Sequence, residues 1–270
     1  MEPSCSSRAT NDGHHGVHWL AHGERELPAT FEWLSSREHA LLDTIRFRKR
    51  RSEYLTRRWT AKHAVVAVLG LEDDPVSLAA VEIRNRESGA PYVEVDGRAV
   101  PVDVSLSDRA GWAVCLVGSG GSGAAGSIGV DLELVEPRSD GFVDDFFTST
   151  ERAYVRSLPV GESRDEAANL IWSAKEAALK VQQVGLRVDT RSVEVVLDRQ
   201  RRPDGWAAMF VDARGNGGGR MSGWWRRDGV FLSTIAFASG SESEPPRLLP
   251  GGAHLANAEP THSWLERPVV

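Results

Sequence analysis

The chain has 270 residues, of which 41% are hydrophobic, and a formal net charge of −6, enough to bury one large core or two of about 100–150 residues. The acidic balance argues against a bulk nucleic-acid binder, whose affinity comes from many phosphate contacts. No apolar run approaches the ~20 residues of a membrane span and the first residues hold no secretory apolar stretch, so a cytoplasmic location and no membrane partner are expected.

In chain order, residues 1–15 are rich in polar and charged residues and are expected to be disordered, as is a low-complexity tail over 239–270. A strand is expected near 17–22, then helices over 35–46 and 52–69. The stretch "RFRKRRSEYLTRRWTAK" (46–62) carries eight cations against one acid, Glu53. In an acidic protein such a patch either holds a small polyanion or forms a solvated helix face. Strands follow near 80–86, 91–96, 102–107 and 111–117. Of the two cysteines, Cys5 and Cys115, the second lies in the apolar run "GWAVCLV", where a thiol serves as a small hydrophobe, and the pair cannot build a disulfide framework.

A Gly/Ser-rich linker over 119–127 separates an N-terminal half, 16–118, from a C-terminal half, 128–238. The second half opens with "IGVDLELVEP", a strand near 128–133 that carries Asp131 and Glu133 two residues apart and therefore on one face. The pair is either an ordinary acidic edge strand or a site where a divalent cation relieves the repulsion. A third helix follows "TSTE" (148–151) and a fourth follows "SRDE" (163–166), both Ser/Thr-x-x-Glu capping boxes, with Gly185 as the left-handed residue ending the fourth. Strands near 192–198, 206–211 and 230–237 complete an α+β pattern. Both halves hold helices followed by strands, but no residue-level repeat stands out between them.

The fourth helix, "LIWSAKEAALK" (170–180), holds Lys175 and Lys180, two of only four lysines; the others are Lys49 and Lys62. Trp172, Glu176 and Lys180 fall at i, i+4 and i+8 on one stripe, opposite Ile171, Ala174, Ala178 and Val181. Glu176 and Lys180 also suit a common i,i+4 surface pair. Taken together, three carboxylates, two lysines and a basic helix suit a Mg²⁺-bound polyphosphate under nucleophilic attack, because Mg²⁺ takes few protein carboxylates and fills its other positions with water and phosphate oxygens. Walker, HExxH and CxxC patterns are absent.

In order along the chain, "KRRSEYLTRRWTAKHAV", "SGAPYVEV", "DVSLSDRAGWAV", "IGVDLE", "FFTSTER" and "WSAKEAALK" resemble the motifs of Sfp-type 4′-phosphopantetheinyl transferases over about 17–237. The resemblance implies two pseudo-symmetric α+β halves with the active site in the cleft between them, and a monomer. It implies transfer of 4′-phosphopantetheine from coenzyme A to a serine of an apo acyl or peptidyl carrier protein of fatty-acid, polyketide or nonribosomal-peptide synthesis, releasing adenosine 3′,5′-bisphosphate. Carried onto this chain, Asp131, Glu133 and Glu176 are the Mg²⁺ ligands, Glu176 is also the general base, and Lys180 with Lys175 offsets pyrophosphate charge. Arg51, Arg58, Lys62, Gly89, Pro91, Ser105 and Ser107 fall on the coenzyme A side. Leu106 stands where the family has a phosphate-contacting histidine, which implies a looser hold on coenzyme A. Phe142, Phe146 and Phe147 either form an apolar carrier-docking surface or pack the base of the third helix. The rival readings are a catalytically silent coenzyme A binding protein and a Mg²⁺-dependent pyrophosphate hydrolase.

Overall fold

A computed structural model describes residues 16–119, 128–184, 187–214, 219–238 and 244–261. The expected linker, apart from residue 119, the N-terminal 1–15 and Gly185 lie outside them. The fold is mixed α+β, with three sheets and, among the described residues, six α-helices. No helix among them is long and apolar enough to cross a membrane.

The N-terminal segment runs β1 (Gly16–Gly23), α1 (Ser36–Thr44), α2 (Arg48–Leu69), α3 (Pro75–Ala80), β2 (Val81–Asn85), β3 (Pro91–Val95), β4 (Arg98–Ala99), β5 (Val102–Arg109) and β6 (Trp112–Ser119). Helix α1 starts where Ser35 and Glu38 close a reciprocal capping box. Helix α2 begins four residues earlier than expected. Its Arg/Lys-rich first turn is made of good helix formers, and Ser52, the first residue of the expected range, donates to Glu24 at 2.5 Å. It stops at Gly70, whose φ of 65° is the left-handed conformation that glycine adopts at little cost. Helix α3 escaped the sequence reading although Asp74 caps it and Pro75 fills its first position.

The C-terminal segment runs β7 (Ile128–Leu134), α4 (Asp140–Phe146), α5 (Ser149–Ser157), α6 (Glu162–Val181), β8 (Val193–Arg201), β9 (Ala207–Ala213), β10 (Arg220–Asp228) and β11 (Phe231–Phe237). The Thr148–Glu151 capping box of α5 forms as expected. The box read at 163–166 is not used: α6 starts at Glu162 behind Gly161, and it ends at Val181, two residues before Gln183 in the left-handed region. Helix α4 and strand β10 were missed. The short "DGFVDDF" and the Arg/Trp-rich "RMSGWWRRD" lack clean periodicity.

In both segments the first strand pairs antiparallel with the last, and the last with the one before it, giving β1–β6–β5 and β7–β11–β10. Strands β9 and β8 extend the second sheet, whereas β2, β3 and β4 form a separate one. Apolar clusters lie beneath α2, beneath α6, and between the two larger sheets, where Trp19 and Leu116 meet Val130, Leu132 and Phe231.

Residues 244–261 overturn the expectation of a wholly disordered tail. Strand β12 (Arg247–Leu248) adds in parallel to β1, Leu249 and Leu255 are buried in two different clusters, and Trp112 Nε1 donates to Glu259 O at 2.8 Å. Composition marked this stretch as low-complexity because its few apolar anchors are widely spaced; each nonetheless fills a prepared gap.

Candidate active site

Strand β7 is buried along its whole length, which removes the reading of Asp131 and Glu133 as an exposed acidic edge. The face carrying Val130, Leu132 and Leu134 fills the inter-sheet core. The opposite face carries Gly129, Asp131 and Glu133. A Cβ on Gly129 would stand 2.1 Å from the Ala177 carbonyl oxygen, so only glycine lets α6 lie this close to β7. The close approach sets Glu176 and Lys180 against the two strand carboxylates.

Asp131 is fixed by three donors. Ser107 Oγ and Lys180 Nζ reach Oδ1 at 2.8 and 2.9 Å, and Ser173 Oγ donates to Oδ2 at 2.8 Å. Lys180 also donates to the Val130 carbonyl at 2.8 Å, while Ser105 Oγ accepts from the Val130 amide at 3.0 Å. Ser105 and Ser107 therefore stitch β5 of the first segment to β7 of the second. Glu176 has its carboxyl pushed up to about 7 by burial first and by the Asp131 charge second, against the pull of Lys180. Glu133 is also pushed upward, by burial and then by Asp131, while Arg109 and Arg138 oppose the shift.

These groups line a cleft of about 740 Å³ between the two segments. Arg58, Gly89, Pro91, Ser105, Ser107, Asp131, Glu133, Glu176 and Lys180 all face it, as does Leu106. Gly89, at φ 90°, turns the hairpin that joins β2 to β3. Arg58 stacks on the Tyr54 ring at 4.8 Å and lies 3.5 Å from Glu38.

Three of the expected site residues are not brought to the cleft. Arg51 is spent on the Leu42 carbonyl at 2.8 Å. Lys62 is fully buried, 2.5 Å from Glu38 and donating to the Trp33 and Leu78 carbonyls. Lys175 is likewise fully buried, 2.9 Å from Glu151 and donating to the Thr190 and Val193 carbonyls. Both lysines pin the interior of their own segment, so the lysine pair of the fourth helix divides into one structural and one cleft residue. Phe147 is in the core, and half-buried Phe142 and Phe146 ring Trp172 with centroids 5.0 and 5.1 Å away, so these two pack on the fourth helix and not on the base of the third.

Sequence reasoning missed Arg57, Asp108 and Arg109, which line the cleft, and Arg138 behind it. Arg57 pairs with Asp108. Arg109 lies two residues beyond Ser107 on the same strand face, and that period-two spacing was the available signal.

Among the described residues no three His, Cys, Asp or Glu side chains converge as a ready-made metal cage. The acids that are present still suit a hard cation: their ligand atoms are oxygens, and burial, then the Asp131 charge, pushes the carboxyls of Glu133 and Glu176 upward. No curated protein matches the chain. Residues 127–205, the segment that carries Asp131, Glu133, Glu176 and Lys180, match the 4'-phosphopantetheinyl transferase superfamily.

Proposed function

We propose that the protein is a phosphopantetheinyl transferase of the Sfp type, moving 4′-phosphopantetheine from coenzyme A to a serine of an apo acyl or peptidyl carrier protein. The observation that carries the reading is Glu176, a carboxyl pushed up to about 7, beside Asp131 and Lys180 in a cleft walled by both segments. A general base works best with a pKa near the operating pH. In the proposed step the carrier serine oxygen bonds to the phosphorus on the pantetheine side of the pyrophosphate. The bond from that phosphorus to the bridging oxygen breaks, adenosine 3′,5′-bisphosphate leaves with the bond's electron pair, and the serine proton passes to Glu176.

Lys180, held between Asp131 and the Val130 carbonyl, lies where it can offset charge on the leaving phosphate. Arg58, with Gly89, Pro91, Ser105 and Ser107, forms the wall on which the coenzyme A phosphates would rest. Leu106 offers that wall no donor, so replacement by histidine is expected to tighten coenzyme A. Asp131, Glu133 and Glu176 are the residues that would hold Mg²⁺, whose chemistry when bound is to neutralise pyrophosphate charge. The common strand order of the two segments supports their reading as pseudo-symmetric halves of one monomeric enzyme.

Intact mass of an apo carrier protein incubated with coenzyme A, Mg²⁺ and this protein tests the reading, with Glu176→Gln in parallel. A phosphopantetheine mass gain that the variant lacks is the expected result. Coenzyme A cleavage with no change in any carrier would instead identify a hydrolase, and binding with neither reaction a silent coenzyme A protein.

A further inference from the structure

Two guanidinium groups converge on one carboxylate oxygen at the back of the cleft. Arg109 Nε and Arg138 Nη2 each lie 3.1 Å from Glu133 Oε2. Arg109 also pairs with Glu136 through Nη2. Arg109 ends β5 and Glu133 sits on β7, so the contact joins the two segments.

The cluster is close in distance yet poorly satisfied. Arg109 Nε, Arg138 Nη2, Glu133 Oε2 and Glu136 Oε2 are all buried, and none makes a hydrogen bond of acceptable geometry. A buried polar group without an aligned partner is costly, and clusters left this way mark places built for something else. The missing complement of a guanidinium is an anion, and that of a carboxylate is a cation. A metal-bound polyphosphate brings both at once.

The two arginines differ in freedom. Arg138 is tethered, its Nε donating to Asn169 Oδ1 at 2.6 Å and its guanidinium resting 4.7 Å from the centroid of Phe142. Arg109 lines the cleft itself, on the strand that presents donorless Leu106 to the same space. Its planar fork suits phosphate oxygens as well as carboxylates.

We infer that Arg109 is a charge-exchange residue, which balances Glu133 when no divalent cation does and turns to the substrate pyrophosphate when a cation takes its place. Cation and coenzyme A then bind cooperatively, because each removes a partner the other would have to displace. Arg138 is the fixed positioning residue that keeps Glu133 in place through the exchange. The inference rests on the transferase reading above for the identity of the anion.

The test uses Mn²⁺ as a spectroscopically visible divalent cation, titrated at pH 8 into wild type, Arg109→Met and Arg138→Met, each with and without coenzyme A. Wild type is expected to bind Mn²⁺ about tenfold more tightly when coenzyme A is present, a typical coupling between linked sites. Arg109→Met is expected to bind Mn²⁺ more tightly than wild type when coenzyme A is absent, and to lose the further tightening. Arg138→Met is expected to gain Mn²⁺ affinity while keeping the tightening, and it reports on the same carboxylate without altering the cleft lining. Equal Mn²⁺ affinity of Arg109→Met and wild type without coenzyme A, or full tightening retained in Arg109→Met, overturns the inference. If wild type binds no coenzyme A, the transferase reading falls with it; if wild type binds and transfers normally while Arg109→Met titrates like wild type, only the charge exchange falls.

Discussion

Glu151 and Lys175 form a buried ion pair at 2.9 Å, and Glu38 and Lys62 repeat it at 2.5 Å in the other segment. In each case the acid closes the capping box of a short helix and accepts a backbone amide from a following strand, Ile83 at 3.4 Å and Val195 at 2.8 Å. Each lysine lies in a matching four-residue run, Trp59-Thr60-Ala61-Lys62 and Trp172-Ser173-Ala174-Lys175. The capping residue, the acid, the tryptophan and the lysine all recur at one constant offset along the chain. The two segments therefore match sparsely at the residue level, at these four positions.

Lys175 is an interior cation partner of Glu151: burial pushes its ammonium downward, and Glu151 opposes that shift in part. Lys175→Met would leave the Glu151 carboxylate buried without its partner, at a cost of about 3–5 kcal/mol. Urea unfolding is expected to show that loss, whereas Lys180→Met, at the open cleft, is expected to stay within about 1 kcal/mol of wild type yet lose transfer activity. Equal stability of the two variants would remove the distinction drawn between these lysines.

At the same offset, where the first segment has His63, the second has Glu176, and only the second faces the cleft. Glu176→Gln is expected to lower transfer by about 10²-fold or more, the usual worth of a positioned general base. Its stability effect has the opposite sign. The folded carboxyl is pushed up to about 7 from the 4.5 of an ordinary glutamate, so folding favours the protonated form. That stabilisation is complete below about 4.5 and is lost as pH rises through about 7. Without added divalent cation, Glu176→Gln should match wild type at pH 4.5 and exceed it at pH 8, with an upper bound of roughly 3 kcal/mol from the shift itself. A variant less stable than wild type at pH 8 would mean that the carboxylate is better satisfied than its crowding implies.

The legible parts of the chain were those with a local signal. Asp131, Glu133, Glu176 and Lys180 were found because strand and helix periodicity put them on single faces, and the structure brings those faces together. Lys62 and Lys175 were misplaced because a lysine on an otherwise apolar turn looks the same whether it points to a cleft or to buried carbonyls. That choice depends on Glu38 and Glu151, whose contact with the lysines is tertiary. Arg109 and Arg138 were passed over in a chain crowded with arginines: Arg109 had only its period-two spacing from Ser107 as a signal, and Arg138 is singled out only by the position of Glu133. Strand β10 was lost for a related reason: Arg226 lies over Trp19 and Trp206 and Arg227 pairs with Glu162 and Glu166, so its polar residues blur the alternation.

Gly129 has no unusual backbone conformation, and its requirement comes wholly from packing. Gly129→Ala would drive a methyl against the Ala177 carbonyl, a rigid helix backbone atom 2.1 Å from the ideal Cβ. The helix must retreat, and overpacking of this kind costs about 1–3 kcal/mol. Since Glu176 precedes Ala177, the same retreat should pull the base from Asp131 and lower Mn²⁺ affinity together with transfer. A variant with reduced thermal stability but unchanged Mn²⁺ affinity would show that the closeness of β7 and α6 serves packing alone.

His22 and His63 give the first segment a built-in acid sensitivity away from the cleft. Their rings stand 5.5 Å apart between Trp59 and the residues around Gly251, and Asp73 takes the Nδ1 side of His63 at 2.9 Å. Burial, and then the neighbouring His63, lower His22 from 6.5 to about 4, and burial lowers His63 as well in spite of Asp73. Above 6.5 both the folded and unfolded chains hold His22 neutral, so its contribution is fully present. As pH falls from 6.5 toward 4 the unfolded chain takes up the proton and the folded one does not, so stability drains away across that window. At about 1.4 kcal/mol per unit, the His22 shift corresponds to roughly 3 kcal/mol. His22→Gln cannot take up that proton, so its unfolding free energy, followed by urea titration at pH 7.5, 6, 5 and 4.5, should fall less steeply than that of wild type. Parallel slopes for the two proteins would mean that His22 is protonated in the fold and that other groups, His63 among them, account for the acid sensitivity.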